Sequence, residues 1–354
     1  MKRLLLILSL LPLLAQAQQM TDAAEHSKYI LAVDEFVPAP GQFINTMPQY
    51  EEGDTPESIA RKCTEYLAND QRSLVSLGSF GGYITFHFDH SIANIEGQRD
   101  FFIMANAMQS LAHPNMPGGG SEPGIVMVSK DVNQNGLPDD PWYELSGSAD
   151  EDSSNVVYNY EITYTRHDMQ PVPWTDNQGR SGVVERNSYH KQEYYPLWLP
   201  AQLTFKGTLL PPNAVELSGK GQDWFQSFLR DGYADNKPNS DREANSFDIS
   251  RAVDASRQPV RLDFIDFVRV YSAMNQMCGW LGESSTEVMG AEDLHLEASL
   301  QAIKDATSGI ATPTGIAPTP QRYYTPDGKS LTAPRRGINV VRLDNGQTKK
   351  LFIK

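Results

Sequence analysis

The chain has 354 residues, of which 44 are acidic and 30 are basic, and its formal net charge is −14. This charge argues against nucleic acid and anionic membrane surfaces as partners. The length allows one large domain or two small ones, and the 15 tyrosines, 14 phenylalanines and 5 tryptophans are typical of β-rich extracellular proteins.

The N-terminal residues 1–17 predict a cleaved signal peptide. Lys2 and Arg3 form a basic start, residues 4–14 form an apolar run that is too short to span a bilayer, and Ala15-Gln16-Ala17 is an A-x-A cleavage site. No cysteine lies near the predicted cleavage site, which argues against a lipidated N-terminus. No later stretch has the length and apolarity of a transmembrane helix. We therefore expect a protein that is secreted or displayed on the outer-membrane cell surface, and not a transmembrane protein.

Two cysteines, Cys63 and Cys278, are too few for a disulfide scaffold in a chain of this length. In an oxidising compartment they either pair with each other or remain buried thiols that pack as small hydrophobic groups. The sequence does not decide between these two states. It offers no Cys–His arrangement that would indicate a catalytic cysteine.

The regular elements are predicted from local patterns. Thr55 before Pro56 marks a helix start, and the helix is expected over residues 56–68. Ile84, Phe86 and Phe88 alternate with polar residues, as in an antiparallel strand with one buried face. Further strands are predicted at residues 99–104, 124–129, 142–145, 158–164, 202–206, 213–217, 261–264 and 266–271. The succession of strands predicts an all-β domain over residues 28–300, a jelly-roll-like β-sandwich with one short helix.

The most informative motif is the loop that begins at Asp131 between two of these strands. Oxygen-bearing side chains occupy alternate positions, and Gly136 permits a sharp turn. Ca²⁺ takes six to eight oxygen ligands, and we expect them here from the side chains of Asp131, Asn133, Asn135 and Asp139 and the carbonyl of Leu137. An EF-hand is excluded, because Trp142 stands where its bidentate glutamate would be. A plain Asx/Gly-rich turn is the alternative. A calcium ion here would brace a β-hairpin.

Two long stretches, residues 166–200 and 218–258, are predicted to be loops rich in aromatic and polar residues. Rings in such loops either stack on sugar rings or cap the core of the sandwich. The candidate ligand-binding residues are Trp174, Asp176, Asn177, Trp198 and Trp224. The acidic stretch at residues 235–241 is either a second cation site or a solvated loop.

No motif identifies an enzyme. The sequence has no Gly-x-Ser-x-Gly elbow, no His-Glu-x-x-His motif and no phosphate loop. The carboxylate pair of a glycoside hydrolase need not be adjacent in sequence, so this class stays open although no catalytic residue can be named.

The C-terminal part differs from the rest in composition. Residues 311–320 are rich in Pro, Thr, Ala and Gly, and we place a linker over residues 301–320. The charged residues of 321–354 are mostly basic, and this segment predicts strands at residues 321–324, 338–343 and 350–353. Turns are expected at Pro326-Asp327-Gly328 and Asp344-Asn345-Gly346.

The tail resembles a C-terminal sorting domain of type IX secretion. The resemblance lies in RYYTPDGK at residues 322–329, RGINVVR at 336–342 and GQTKKL at 346–351. It implies export across the outer membrane by that machinery, after which the tail is either removed or anchored.

The body resembles uncharacterised bacterial cell-surface proteins, some of which carry PKD-type domains. The matching stretches are PAPGQF (38–43), residues 76–84, SEPGIVMV (121–128) with the following loop, GYADN (232–236) and GESSTEV (282–288). The order of its glycine-rich, acidic and strand segments is also similar to galactose-binding-like jelly rolls. These resemblances imply a fold and a location but no catalytic residue.

Together these observations predict an exported, calcium-stabilised β-sandwich that binds an extracellular ligand. Carbohydrate is the expected ligand class, and a cofactor captured for an outer-membrane transporter is a second one. The alternatives are a structural or adhesive surface protein without a small ligand and a secreted glycan hydrolase. A cleft with Trp and two inward carboxylates would favour the hydrolase, a cleft with Trp and amides would favour binding, and a flat surface would favour adhesion.

Overall fold

The structure is a computed structural model that describes residues 26–151, 155–308, 320–325, 329–331, 333–343 and 348–353. The predicted signal peptide at residues 1–17 and most of the predicted linker lie outside the described residues. The chain divides into two compact units, Met1–Ile303 and Lys304–Lys354.

The described part of the chain has two α-helices, α1 (Pro56–Leu67) and α2 (Leu296–Ser308). The strands in chain order are β1 (Ala32–Val37), β2 (Val75–Ser76), β3 (Tyr83–Ala93), β4 (Phe101–Met104), β5 (Met108–Gln109), β6 (Gly118–Gly120), β7 (Gly124–Ser129), β8 (Trp142–Leu145), β9 (Val157–Thr165), β10 (Val172–Asp176), β11 (Ser181–Val184), β12 (Gln202–Leu209), β13 (Ala214–Glu216), β14 (Trp224–Ser227), β15 (Ser246–Phe247), β16 (Ala252–Val253), β17 (Phe264–Ser272), β18 (Glu287–Val288), β19 (Gly290–Asp293), β20 (Pro320–Tyr324), β21 (Ser330–Leu331), β22 (Gly337–Leu343) and β23 (Thr348–Ile353).

Helix α1 begins as its sequence predicts. The Thr55 side chain accepts a hydrogen bond from the Ser58 backbone N–H, and the Ser58 hydroxyl accepts one from the Thr55 N–H. This reciprocal cap satisfies two donors that the first turn would leave unpaired. The buried face carries Ile59, Cys63 and Leu67, so the helix packs on the core through an apolar stripe.

The central sheet of the first unit is antiparallel, with the order β1-β3-β17-β7-β8-β16. Val268 of β17 lies opposite Phe86 of β3 and Val128 of β7, and all three side chains belong to one buried cluster. Ile125, which lies three positions before Val128 on β7, belongs to a second cluster on the opposite face, as the alternation of a strand requires.

A second sheet, with the order β11-β10-β9-β12, supplies the other side of that second cluster. Tyr160, Ile162 and Tyr164 of β9 and Phe205 of β12 are buried there together with Tyr271 of the central sheet. The two sheets therefore enclose a core between them, and the predicted all-β, sandwich-like fold class is confirmed.

Several local predictions need correction. Residues 261–264 and 266–271 were expected as two strands, but a single strand, β17, begins at Phe264. The stretch 166–200 was expected to be a loop, yet it holds the β10–β11 hairpin. The fold has a second helix, α2, whose last residues occupy the start of the predicted linker.

Three small sheets surround the sandwich, with the orders β13-β14-β6-β5, β15-β4-β19 and β18-β2. The last pairs Glu287 with Ser76. An isolated bridge joins Gly124, at the start of β7, to Ala234. These pairings bring the segments near residues 122, 235 and 287 together.

The second unit contains a four-stranded antiparallel sheet with the order β21-β20-β22-β23. The three predicted strands of the tail are present, and Ser330–Leu331 adds a short edge strand. Within the described residues, no helix has both the length and the apolarity that crossing a membrane requires.

Both cysteines are free and buried. Of the two states that the sequence left open, the structure has separate thiols instead of a disulfide. Burial raises the pKa of Cys63 well above its usual value and that of Cys278 to about 12, so both remain protonated and act as small packing groups.

Candidate functional site

A pocket of about 640 Å³ opens on the first unit. Its lining combines aromatic rings, side-chain amides and carboxylates. This volume lies within the range of roughly 300–1,000 Å³ that is usual for small-molecule sites. We call this cavity the carboxylate pocket, after the acidic residues at its floor.

Glu122, Asp235 and Glu287 form the centre of that floor. One carboxylate oxygen of each lies within 4.8 Å of the corresponding oxygens of the other two. Asp235 and Glu287 are almost fully buried, with 1% and 4% of their surfaces exposed, whereas Glu122 is partly exposed. Three acidic groups at this separation repel one another strongly when all are ionised.

The backbone holds each acid in place. Asp235 follows the bridge to Gly124, and its Oδ1 and Oδ2 accept hydrogen bonds from the backbone N–H groups of Asn106 and Glu287, both at 2.8 Å. Oε1 of Glu287 accepts a 3.0 Å bond from the Ser76 hydroxyl of the paired strand. The cluster is therefore built into the sheet framework.

Glu122 is held by weaker contacts. Its Oε1 accepts hydrogen bonds from the Ser285 backbone N–H at 3.2 Å and from the Gln226 amide at 3.3 Å. Both donors are neutral.

Burial and mutual repulsion shift the acids toward their protonated forms. Burial, with the charge of Asp235 as the next cause, raises the pKa of Glu122 to about 8. Burial raises the pKa of Asp235 to about 7. Burial together with the charges of Glu122 and Asp235 raises the pKa of Glu287 well above its usual value. A proton or a cation is needed to relieve this repulsion.

Glu283 is a fourth buried acid in the lining, with 3% of its surface exposed. Its Oε1 accepts a 2.6 Å hydrogen bond from the Gln42 backbone N–H, but its buried Oε2 has no hydrogen-bond partner. Burial raises its pKa to about 7. None of the described residues that line the pocket is Lys or Arg, so the lining provides no permanent countercharge for these acids.

The mouth of the pocket exposes aromatic rings. Among the side chains that the structure describes, the exposed Phe, Tyr or Trp rings are Tyr189, at 74%, and Trp280, at 49%. They lie edge to face with their centroids 6.5 Å apart, and both line the pocket together with the exposed Met108 and Leu111. Exposed apolar groups gathered at one cavity are typical of a binding surface.

Trp224 belongs to the same lining. Its buried indole N–H has no hydrogen-bond partner, and the ring packs directly on Gly279, where a Cβ atom would approach Nε1 to 2.3 Å. Gly279 also has a φ of +57°, so two constraints favour glycine there.

Of the ligand-binding residues predicted from the sequence, Trp224 lines the carboxylate pocket and the others do not. Trp198 is 8% exposed and stacks on Phe36 and Tyr50 in the core. Trp174 lies on β10, opposite Tyr164, and packs against the second cluster.

The two polar candidates beside Trp174 have structural contacts. The buried carboxylate of Asp176 accepts hydrogen bonds from the Tyr160 hydroxyl at 3.0 Å and from Arg180 Nε at 2.7 Å. The Asn177 amide donates to the Asn159 carbonyl at 2.8 Å. These contacts close the turn of the β10–β11 hairpin.

The loop predicted to bind calcium brings its side chains together. Asp131 accepts hydrogen bonds from the backbone N–H groups of Asn135 at 3.1 Å and Gly136 at 2.8 Å. The amides of Asn133 and Asn135 donate to the two oxygens of Asp139 at 3.1 and 3.0 Å. Gly136 has a φ of +72°, as the expected sharp turn requires. The amide oxygens of Asn133 and Asn135 accept hydrogen bonds from the backbone N–H groups of Asn135 and Leu137 at 3.0 and 2.8 Å, so the loop is closed by its own hydrogen bonds.

The histidines of β3 are occupied by carboxylates. His87 contacts Asp34 at 2.9 Å, and His90 lies between Asp89 at 2.6 Å and Asp293 at 2.8 Å. Both nitrogens of His90 therefore face acids. Asp89 also contacts His26 at 3.4 Å, and His26, Asp89 and His90 lie close enough together to hold a metal ion.

Glu122, Glu283 and Glu287 have no local motif that marks them as site residues, and residues 235–241 were predicted to be either a cation site or a solvated loop. Asp235 is in fact buried. Four of the acids lie in the segments 121–128, 232–236 and 282–288, which carried the resemblance to cell-surface proteins. The stretch 38–43 also reaches the pocket, through Gln42 and Phe43. The one indication in the sequence was that these stretches carry the resemblance. That they converge at one pocket is apparent only from the fold.

No protein-family model matches the chain, and no curated protein matches it.

Proposed function

We propose that this protein binds an extracellular carbohydrate in the carboxylate pocket. The observation that carries the proposal is the meeting of the two exposed rings, Tyr189 and Trp280, at the mouth of a cavity lined by amides and acids. Aromatic faces contact the C–H surfaces of sugars, and a few convergent polar groups bind hydroxyls and fix the orientation.

The polar lining suits a polyhydroxylated ligand. The side chains of Gln42, Asn106, Asn187 and Gln222 present amides to the cavity, each of which can donate and accept hydrogen bonds. The Asn187 amide already donates to Gln42 Oε1 at 2.6 Å, so this part of the lining is preorganised. Preorganised polar groups lower the entropic cost of binding.

The location of this activity is part of the proposal. The predicted signal peptide at residues 1–17 and the sorting-like tail at residues 321–354 support export, with the outer-membrane export machinery as a partner. The loop of Asp131, Asn133, Asn135, Leu137 and Asp139 is proposed to hold Ca²⁺, which is plentiful outside the cell, as a brace between β7 and β8. Extracellular calcium modules have dissociation constants of about 10⁻⁴–10⁻³ M.

A secreted glycan hydrolase is the second candidate, because the pocket contains inward carboxylates beside Trp224 and Trp280. Glu122, with a pKa of about 8, carries the proton that a general acid needs at neutral pH. However, Glu122, Asp235 and Glu287 gather in one cluster whose oxygens approach one another within 4.8 Å, whereas the two carboxylates of a glycosidase flank the scissile bond. The geometry therefore favours binding over hydrolysis, and the pocket favours both over a purely adhesive surface.

A glycan array probed with the purified full chain tests the proposal. Binding to a defined group of glycans is expected. Trp280→Ala and Tyr189→Ala should weaken it strongly, whereas Leu31→Ala should not, because Leu31 is about as exposed as Trp280, at 50% against 49%, and does not line the pocket. Absence of binding to every glycan, or binding that both ring variants retain, would contradict the proposal.

The same glycans separate binding from hydrolysis. After incubation with the chain, a bound glycan should be recovered intact. Release of new reducing ends that stops in Glu122→Gln would establish the second candidate instead.

A further inference from the structure

We propose that the floor of the carboxylate pocket is a second cation site, in which Glu122, Asp235 and Glu287 bind a divalent cation of the calcium class. This site is separate from the loop at Asp131, and the proposal goes beyond carbohydrate binding because it does not depend on a sugar.

The first argument is electrostatic. Three acids whose oxygens lie within 4.8 Å of one another are placed at the inner end of a cavity without Lys or Arg in its described lining. Buried carboxylates in folded proteins are paired, protonated or bound to a metal. A divalent cation is the partner that neutralises two charges at one point and leaves the framework unchanged.

The second argument is independent of the cluster. Glu283 is almost fully buried, with 3% of its surface exposed, and it lines the same cavity. Its Oε2 has no hydrogen-bond partner. A buried acceptor left unpaired destabilises the fold, and more so when the group is charged. This orphaned oxygen indicates that the cavity receives a positively polarised group, either the cation itself or water bound to it.

The donor atoms also fit. A carboxylate has about four lone-pair sites, and the hydrogen bonds described above use two on Asp235, one on Glu287 and two on Glu122. Free lone pairs therefore remain on all three. The donors are all oxygen, which favours a hard cation such as Ca²⁺ over Zn²⁺.

The position of the site gives it a consequence for the ligand. The cation would face the cavity, where sugar hydroxyls could complete its coordination shell. This consequence rests on the proposed carbohydrate binding, whereas the cation site itself does not.

Calorimetric titration of the EDTA-treated, desalted full chain with calcium chloride alone tests the site. We expect two bound ions per chain, of which Asp131→Ala removes one. Adding Glu122→Gln or Glu287→Gln to Asp131→Ala should weaken the remaining site at least tenfold. Magnesium serves as the comparison, and it should bind more weakly because it demands stricter octahedral geometry.

Two results would overturn the site. One is the absence of calcium binding to the Asp131→Ala chain up to about 10 mM, ten times the weakest affinity of extracellular calcium modules. The other is binding that neither Glu122→Gln nor Glu287→Gln changes while both variants keep the wild-type circular dichroism spectrum. Because no sugar is present, either result would leave carbohydrate binding standing, and a failed glycan array would leave the cation site standing.

Discussion

The backbone N–H of Glu287 donates a 2.8 Å hydrogen bond to Oδ2 of Asp235, although the two residues are 52 positions apart. The side chain of one member of the acidic cluster is therefore bonded to the main chain of another, and the second oxygen of Asp235 accepts from the Asn106 N–H. This hydrogen bond makes the cluster a fixed part of the fold. It also predicts that replacing an acid by its amide changes the stability of the protein differently at each position.

Asp235→Asn should destabilise the protein. Asn has one acceptor oxygen where Asp235 uses two, so its NH₂ group would face a backbone N–H and leave a buried donor unpaired. The expected loss is about 1–3 kcal/mol, measured by urea denaturation in EDTA. An unchanged midpoint would show that the two backbone bonds do not fix the cluster.

Glu122→Gln should have the opposite effect in EDTA. Its amide oxygen can still accept from Ser285 and Gln226. The neutral amide also avoids the cost of protonating a carboxyl whose pKa burial and the charge of Asp235 raise to about 8. We expect a gain of about 1–2 kcal/mol, or a rise in Tm of roughly 2–8 °C for a domain of this size. In saturating calcium the gain should shrink or reverse. A fall in Tm in EDTA would contradict the description of the cluster as strained by like charges.

Asp131→Ala should remove the loop's share of the stabilisation by calcium. Its carboxylate also caps the Asn135 and Gly136 N–H groups, so a small loss is expected without calcium as well. With a dissociation constant of about 10⁻³ M, 10 mM calcium would stabilise the wild-type loop by about 1.4 kcal/mol. Thermal melts with and without calcium measure the difference. An identical calcium response in wild type and variant would exclude the loop as a site.

His90 should make stability depend on pH. Burial alone would lower the pKa of His90, but hydrogen bonds to Asp293 and Asp89 raise it above 6.5. The charged ring therefore stabilises the fold fully below about pH 6.5, and this contribution is lost as the pH rises through the folded pKa.

The comparison with His90→Gln isolates this contribution. The gap in unfolding free energy between wild type and variant should be about 2 kcal/mol near pH 6 and should narrow toward pH 9. Urea titrations at these pH values measure it. A gap that stays constant or widens would show that His90 is not a charged partner of Asp89 and Asp293.

The parts of the fold that could be predicted from the sequence are those determined by residues close together in the chain. The cap at Thr55 and the apolar alternation of Ile84 and Phe86 are local signals, and the helix and strand they predicted are present. The β10–β11 hairpin was missed because Pro171 and Pro173 weaken a strand pattern. Packing of Trp174 against the sandwich decides its structure instead.

The site was less predictable for a physical reason. Glu122, Asp235 and Glu287 carry no local pattern, and their meeting depends on the pairing of β18 with β2 and on the bridge from Gly124 to Ala234. The role of Trp198 could not be predicted from its local sequence either. Its sequence context allowed either ligand contact or core packing, and its stacking on Phe36 and Tyr50 follows only from the tertiary structure.

The most direct test of the central claim is calorimetric titration of the full chain with the strongest glycan from the array, in calcium. Trp280→Ala and the matched surface variant Leu31→Ala are titrated in parallel. Loss of the ring should weaken binding at least tenfold, or about 1.4 kcal/mol, while Leu31→Ala should bind as the wild type does. Equal affinities in all three proteins would show that the carboxylate pocket is not where this protein binds carbohydrate.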